Sequence, residues 1–162
     1  MNAIVTEKLT KRYKDVTAVD GLSLSVKKGE LFALLGVNGA GKTTAVKMLC
    51  GITEPTGGNA WLSGKSIVTE LRAVKGIIGV SPQETAVAPN LTVKENLELM
   101  CGVHGFSGKV KKQKVCELLK SFGLSDTAGK RAAKLSGGWQ RRLCIAMALI
   151  SEPEILFLDE PT

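Results

Sequence analysis

The sequence predicts an α/β fold organised around a glycine-rich turn, and three observations carry that prediction. An apolar run at residues 31–35, LFALL, leads directly into a glycine-rich segment and then a helix-like stretch. A second apolar run at 155–158, ILFL, ends on the acidic pair Asp159 and Glu160. Between the two, the apolar residues of the middle of the chain recur with the period of a helix and not of a strand.

The elements follow in order. Residues 17–26, TAVDGLSLSV, alternate apolar and polar around Gly21, as a half-buried strand does. The unbroken run at 31–35 reads as a strand buried on both faces. Residues 42–50 read as a helix with Val46 and Leu49 inward, closed by Gly51. Residues 55–58 form a turn, and 60–62 and 76–80 are short strands. Thr92 stands three residues before Glu95, a capping box for a helix on which Val93, Leu97, Met100 and His104 recur. A second helix over 109–122 sets Val115, Leu118, Leu119 and Phe122 on one face and ends at Gly123. Ser136 caps a third, with Leu143, Met147 and Ile150 inward. The strand at 155–158 should bury all four of its apolar side chains. The expected organisation is a β-rich start with the phosphate loop (1–84), a helical insert (85–135) and a closing α/β stretch (136–162).

Composition narrows the class. A chain of 162 residues is the size of one domain, and 44% hydrophobic with 23% charged residues describes a folded globular protein. No run of about 18 apolar residues is present, so no membrane-spanning helix is expected. The first residues, MNAIVTEKLTKRYKD, lack the apolar core of a secretory signal. Cys50, Cys101, Cys116 and Cys144 form no CxxC pair, which fits free buried thiols in a reducing cytoplasm. The net charge of +7 is densest at Lys109, Lys111, Lys112, Lys114 and Lys120. These lie on the amphipathic 109–122 helix without interleaved aromatics, so they read as a solvated face, and no nucleic-acid partner is expected.

Two motifs carry chemistry. Residues 36–43, GVNGAGKT, fit G-x-x-x-x-G-K-[ST] between a strand and a helix. Gly36, Gly39 and Gly41 let backbone N–H groups turn inward around a phosphate. The following helix adds its positive N-terminal end. Lys42 is placed to reach β- and γ-phosphates, and the Thr43 hydroxyl to bind Mg2+. At 155–160 an apolar strand delivers two carboxylates to its C-terminal end, where ligands sit in open α/β sheets. Asp159 would hold the Mg2+ shell, and Glu160 would orient and polarise the attacking water.

A third stretch is specific. Residues 135–140, LSGGWQ, closely resemble the LSGGQ signature of ABC ATPases. With the loop at 36–43 and the strand at 155–160 in this order, the chain resembles an ATP-binding cassette over its whole length. The fold this implies is α/β of the P-loop NTPase class, with an N-terminal β-subdomain and a helical insert, truncated after the Walker B strand.

The resemblance implies ATP and Mg2+ as cofactors. ATP would be held by Gly36, Asn38, Gly39, Ala40, Gly41, Lys42, Thr43 and Thr44. Ser136, Gly137, Gly138 and Gln140 would face the γ-phosphate held by a second cassette in a head-to-tail dimer. Tyr13 matches the aromatic position that stacks on adenine. Gln83, in GVSPQE, matches the loop that contacts the metal and the attacking water and faces transmembrane permease subunits. Thr43, Gln83 and Asp159 would form the metal set, and Lys42, Gln83 and Glu160 the catalytic one. The place implied is the cytoplasmic face of a membrane, peripherally bound. His104 precedes the signature, whereas the family's switch histidine follows the Walker B strand, so His104 is a packing or surface residue.

The resemblance also has limits. Trp139 is larger than many family signatures allow at its position, although SGGWQRR is similar to some bacterial exporter cassettes. Family members continue into a D-loop, a further strand and the switch histidine. That strand lies between the Walker A and Walker B strands, so residues 1–162 alone are not expected to fold stably as a native cassette. The implied function is the ATPase subunit of a transporter. The alternatives are a translation-associated ABC ATPase and an ATP-binding chain without turnover.

Overall fold

The computed structural model describes residues 1–37 and 39–159. It divides into two compact units, Met1–Ile78 and Gly79–Thr162.

The first unit is built on a four-stranded sheet. Strands β1 (Asn2–Tyr13) and β2 (Val16–Lys27) form a long antiparallel hairpin that turns over Lys14 and Asp15. Strand β3 (Gly57–Leu62) pairs with the other edge of β1, and β4 (Lys65–Ser66) with β3, giving the order β2-β1-β3-β4. Register breaks between Thr6 and Leu9, where Lys8 takes φ 48°. The buried Thr6 hydroxyl mends that break, donating to the Leu22 carbonyl at 2.9 Å and accepting from the Leu24 amide at 3.0 Å. Helix α1 (Lys42–Leu49) lies against β2 with Ala45, Met48 and Leu49 buried. Leu49 is inward as expected, whereas Val46 is half-buried and Ala45 and Met48 complete the inward face. A short helix α2 (Leu71–Lys75) buries Val74.

In the second unit β5 (Ile78–Ser81) pairs with β6 (Ile155–Leu158). Helices α3 (Val93–Val103), α4 (Gly108–Ser121) and α5 (Gly137–Ala148) enclose a core of Val93, Leu97, Cys101, Val115, Leu124, Leu143, Ala146, Met147 and Ile150. The capping box at the start of α3 is complete: the Glu95 amide donates to the Thr92 hydroxyl at 3.1 Å, and the Thr92 amide to the Glu95 carboxylate at 2.7 Å. Fully buried Asn96 organises the approach to α3, accepting from the Ala88 amide and donating to the Ala88 and Thr92 carbonyls. Lys114 lies over the Phe106 ring and pairs with Glu152, whose carboxyl that hydrogen bond holds below its usual range.

Several expectations are corrected. Residues 31–35 form no strand: Leu31 is 98% exposed and Leu35 88%. An apolar run becomes a buried strand only by pairing on both sides, and no described strand pairs with this one. In β6 only Ile155 and Phe157 are buried, and Leu158 is exposed. The burial alternates with the two-residue period of a strand, so one face of β6 is covered and the other is not. The strand expected at 76–80 begins two residues later, at Ile78, and ends at Ser81, because Gly76 caps α2. Gly57 and Gly58, expected in a turn, already belong to β3. His104 is the exposed C-cap of α3, one residue past the last turn. Cys116 faces solvent, unlike the other three cysteines.

Candidate nucleotide-binding site

The loop that precedes α1 is tightly wound. The Ala40 amide donates to the Val37 carbonyl at 3.1 Å, and Gly39 and Gly41 take φ of 82° and 80°. A Cβ on Gly41 would stand 2.0 Å from the Ala18 carbonyl oxygen, so glycine is demanded there both by dihedral and by space. Gly41 is also the N-cap of α1 and supplies no side-chain cap. The first intrahelical bond runs from the Ala45 amide to the Gly41 carbonyl at 2.8 Å. The amides of Lys42, Thr43 and Thr44 therefore have no acceptor within the helix. Thr43 and Thr44 are half-buried in this turn.

Lys42 folds back over its own loop. Its ammonium donates to the carbonyls of Gly36 at 2.6 Å and Val37 at 3.0 Å, which holds a fixed positive charge at the mouth of the turn. A cavity of about 200 Å³ opens beside it, lined by Ala18, Asp20, Leu35, Gly41 and Lys42 among others. Two larger hollows in the same unit include no residue of the loop. Tyr13 ends β1 47% exposed, with the Lys11 ammonium 5.0 Å from its ring centroid. Asn38 lies outside the described residues.

In the second unit, Ser136 is the N-cap of α5 in extended conformation, but its hydroxyl makes no capping bond. Gly137 and Gly138 are exposed, and a Cβ on either would meet nothing within 4 Å. Nothing among the described residues therefore requires glycine at these two positions. The Gln140 side-chain Nε2 donates to the Ala132 carbonyl at 2.9 Å, tying α5 to the segment before it. Trp139 packs against the helical core, with the Arg142 guanidinium 4.8 Å from its ring centroid. Gln83 is exposed just after β5, and Asp159 is half-buried at the end of β6. Glu160 lies outside the described residues.

Sequence reasoning passed over Arg141. Its guanidinium donates to the Pro82 carbonyl and, at 2.8 Å, to the Asp159 carbonyl. The only signal was the pair of arginines in SGGWQRR, and a helix turns neighbouring side chains about 100° apart, so one faces inward and the other does not.

The donors fit the group that the motifs imply. The φ at Gly41, the excluded Cβ and the uncapped first turn of α1 make a cradle for an anion of phosphate size. Among the described residues no three His, Cys, Asp or Glu side chains gather to hold a metal by themselves.

A glycine turn that opens a helix at Gly-Lys-Thr, on an α/β chain, defines a P-loop protein. Comparison with known proteins narrows the class. A family model described as ABC transporter matches residues 19–162. The chain is 40% identical over 159 residues to the probable multidrug ABC transporter ATP-binding protein YbhF of Escherichia coli K12, covering 98% of this chain and 28% of that protein. It is 44% identical over 156 residues to the Nod factor export ATP-binding protein I of Burkholderia thailandensis, covering 96% of this chain and 51% of that one. Among solved structures, CbiO1 from Clostridium perfringens, part of the transporter complex CbiONQ, superposes with a TM-score of 0.88 at 28% identity, over 99% of this chain and 66% of that one. The chain belongs to the ABC transporter family, and its fold is that of the ATP-binding subunits. It spans about half the length, or less, of these curated relatives. No helix among the described residues is long and apolar enough to cross a membrane.

Proposed function

We propose that this chain is the ATP-binding and ATP-hydrolysing part of a transporter subunit, driving substrate movement through separate membrane subunits. The observation that carries the reading is the turn at Gly41 and Lys42, where space, dihedral and charge all favour a phosphate chain. The name of the Nod factor export ATP-binding protein supports export.

In this reading the amides at the start of α1 and the Lys42 ammonium grip the β- and γ-phosphates. Tyr13 offers its exposed ring to adenine. Thr43, Gln83 and Asp159 would hold Mg2+, which would supply neutralisation of the charge developing on the phosphates. Gln83 and Glu160 orient the attacking water, and Glu160 polarises it. Ser136, Gly137 and Gly138 present free amides of α5 to the γ-phosphate of a second cassette. Glycines that this chain's own fold does not require support that role. The Gln83 loop and the helical unit would pass dimer closure to the permease.

The test is made on the protein at the full length of its reading frame. Lys42→Ala should abolish measurable Mg-ATP affinity. Glu160→Gln should retain binding, lose turnover and trap a dimer on size-exclusion chromatography. Undiminished ATP affinity in the lysine variant would refute the reading, and near-normal turnover in the glutamine variant would remove Glu160 from its role.

A further inference from the structure

We infer that Arg141 is a positioning residue that fixes two peptide planes, the one leading into Gln83 and the one leading out of Asp159. The inference rests on the ATPase reading above for its functional consequence, though not for its geometry.

Arg141 sits in the first turns of α5, directly behind the signature. Its side chain is half-buried and reaches the ends of both strands of the unit's sheet. One terminal nitrogen donates to the Pro82 carbonyl, one residue past β5, and the other to the Asp159 carbonyl, one residue past β6. The Asp159 amide in turn donates to the Ser81 carbonyl at 3.1 Å, which closes the bracket. A carbonyl shares a rigid plane with the amide that follows it, so holding the oxygen holds the direction in which the chain proceeds. In sequence, Gln83 follows Pro82 and Glu160 follows Asp159. A single guanidinium thus sets the exit of both segments that carry the proposed water- and metal-contacting side chains. It also couples them to the helix whose N-terminus bears Ser136, Gly137 and Gly138.

The residue type matters. A planar fork with donors at fixed spacing satisfies two carbonyls at once, whereas a lysine ammonium is one point charge on a flexible stem. Arg142, its neighbour, is exposed over Trp139 and touches neither strand end through any described bond, which makes it the internal control.

The experiment compares Arg141→Gln, Arg141→Lys and Arg142→Gln with the parent in the protein at full reading-frame length. Two readouts are taken: amide hydrogen exchange without nucleotide, and kcat against KM for ATP. In Arg141→Gln, exchange at Asp159, whose amide is bonded to the Ser81 carbonyl, should quicken by about tenfold or more while α3 and α4 stay protected. Its kcat should fall on the order of 100-fold, as expected when reacting groups are displaced by about 1 Å. KM for ATP should stay within about twofold, because the proposed phosphate grip lies in the other unit. Arg141→Lys should fall between the two, and Arg142→Gln should match the parent.

Unchanged exchange at Asp159 in Arg141→Gln overturns the inference. So does a rise in KM with kcat preserved. If Arg141→Gln does not fold, Arg141→Lys decides, and parental exchange and kcat there overturn it. If the parent itself binds no Mg-ATP, the function reading fails, while the exchange result still judges the bracket.

Discussion

At the scale of single residues, the glycines of the loop before α1 and those at the start of α5 separate into two kinds. Gly41 is required by the chain itself: its φ of 80° is unfavourable for any side chain, and the Ala18 carbonyl fills the place of a Cβ. The dihedral alone costs an alanine roughly 1–2 kcal/mol, and the contact demands a backbone shift besides. Gly41→Ala is therefore expected to lower the unfolding free energy by about 2 kcal/mol or more and to weaken ATP binding at the same time. Denaturant melts and nucleotide titration check both. Gly137 and Gly138 differ, since a methyl group there meets nothing. Alanine at either should leave stability within about 1 kcal/mol of the parent, or raise it through better helix propensity, while ATPase activity falls. A stability loss as large as that of Gly41→Ala would mean that the fold, not a bound phosphate, selects those glycines.

At the scale of elements, what local chemistry determines was legible and what distant pairing determines was not. The Thr92 and Glu95 capping box is written in two residues three apart, and it forms as expected. The inward positions of α5 follow from its period alone. By contrast, the run at 31–35 has the composition of a buried strand, but burial depends on neighbours supplied from elsewhere, and among the described residues it stays exposed. Helix α2 spans 5 residues, too few for a period to show. The division of labour between Arg141 and Arg142 needed the placement of two strand ends. Of the candidate site, the loop glycines, Lys42 and the signature were readable because each motif carries its own geometry. The bracket behind them was not. The cap also makes a pH prediction. The Thr92 amide, then its hydroxyl, hold the Glu95 carboxyl below its usual value of 4.5. A depressed folded pKa gives stability that is present above the unfolded value and lost as pH falls through the folded one. The difference in Tm between the parent and Glu95→Ala should thus be constant from pH 6 to about 5 and shrink below about 4.5. A gap that widens on acidification would contradict the cap as its source. Thr92→Ala, read at pH 7, should cost about 1 kcal/mol.

At the scale of the whole molecule, residues 31–37 of the first unit decide whether the chain holds together. This segment is the lead-in to the phosphate loop, yet Leu31, Phe32, Leu35 and Val37 all stand in water. Burying a side chain of this size contributes about 1.5–3 kcal/mol, and four left exposed forfeit a sum comparable to the roughly 5–15 kcal/mol that holds a typical domain together. A loop whose preceding segment is unanchored cannot hold its amides in one geometry, so phosphate affinity and folding should fail together. Residues 1–162 produced alone are therefore expected to melt without a sharp transition and without a shift on adding Mg-ATP. Calorimetry with and without nucleotide checks this, and a single cooperative transition that rises with ATP concentration would overturn it. The same measurement on a longer polypeptide containing these residues, at the length its relatives have, separates the causes. An ATP-shifted transition gained there, and lost again in Leu35→Asp, would locate the deficit in the burial of this one segment and not in the loop, whose glycines and lysine are already in place.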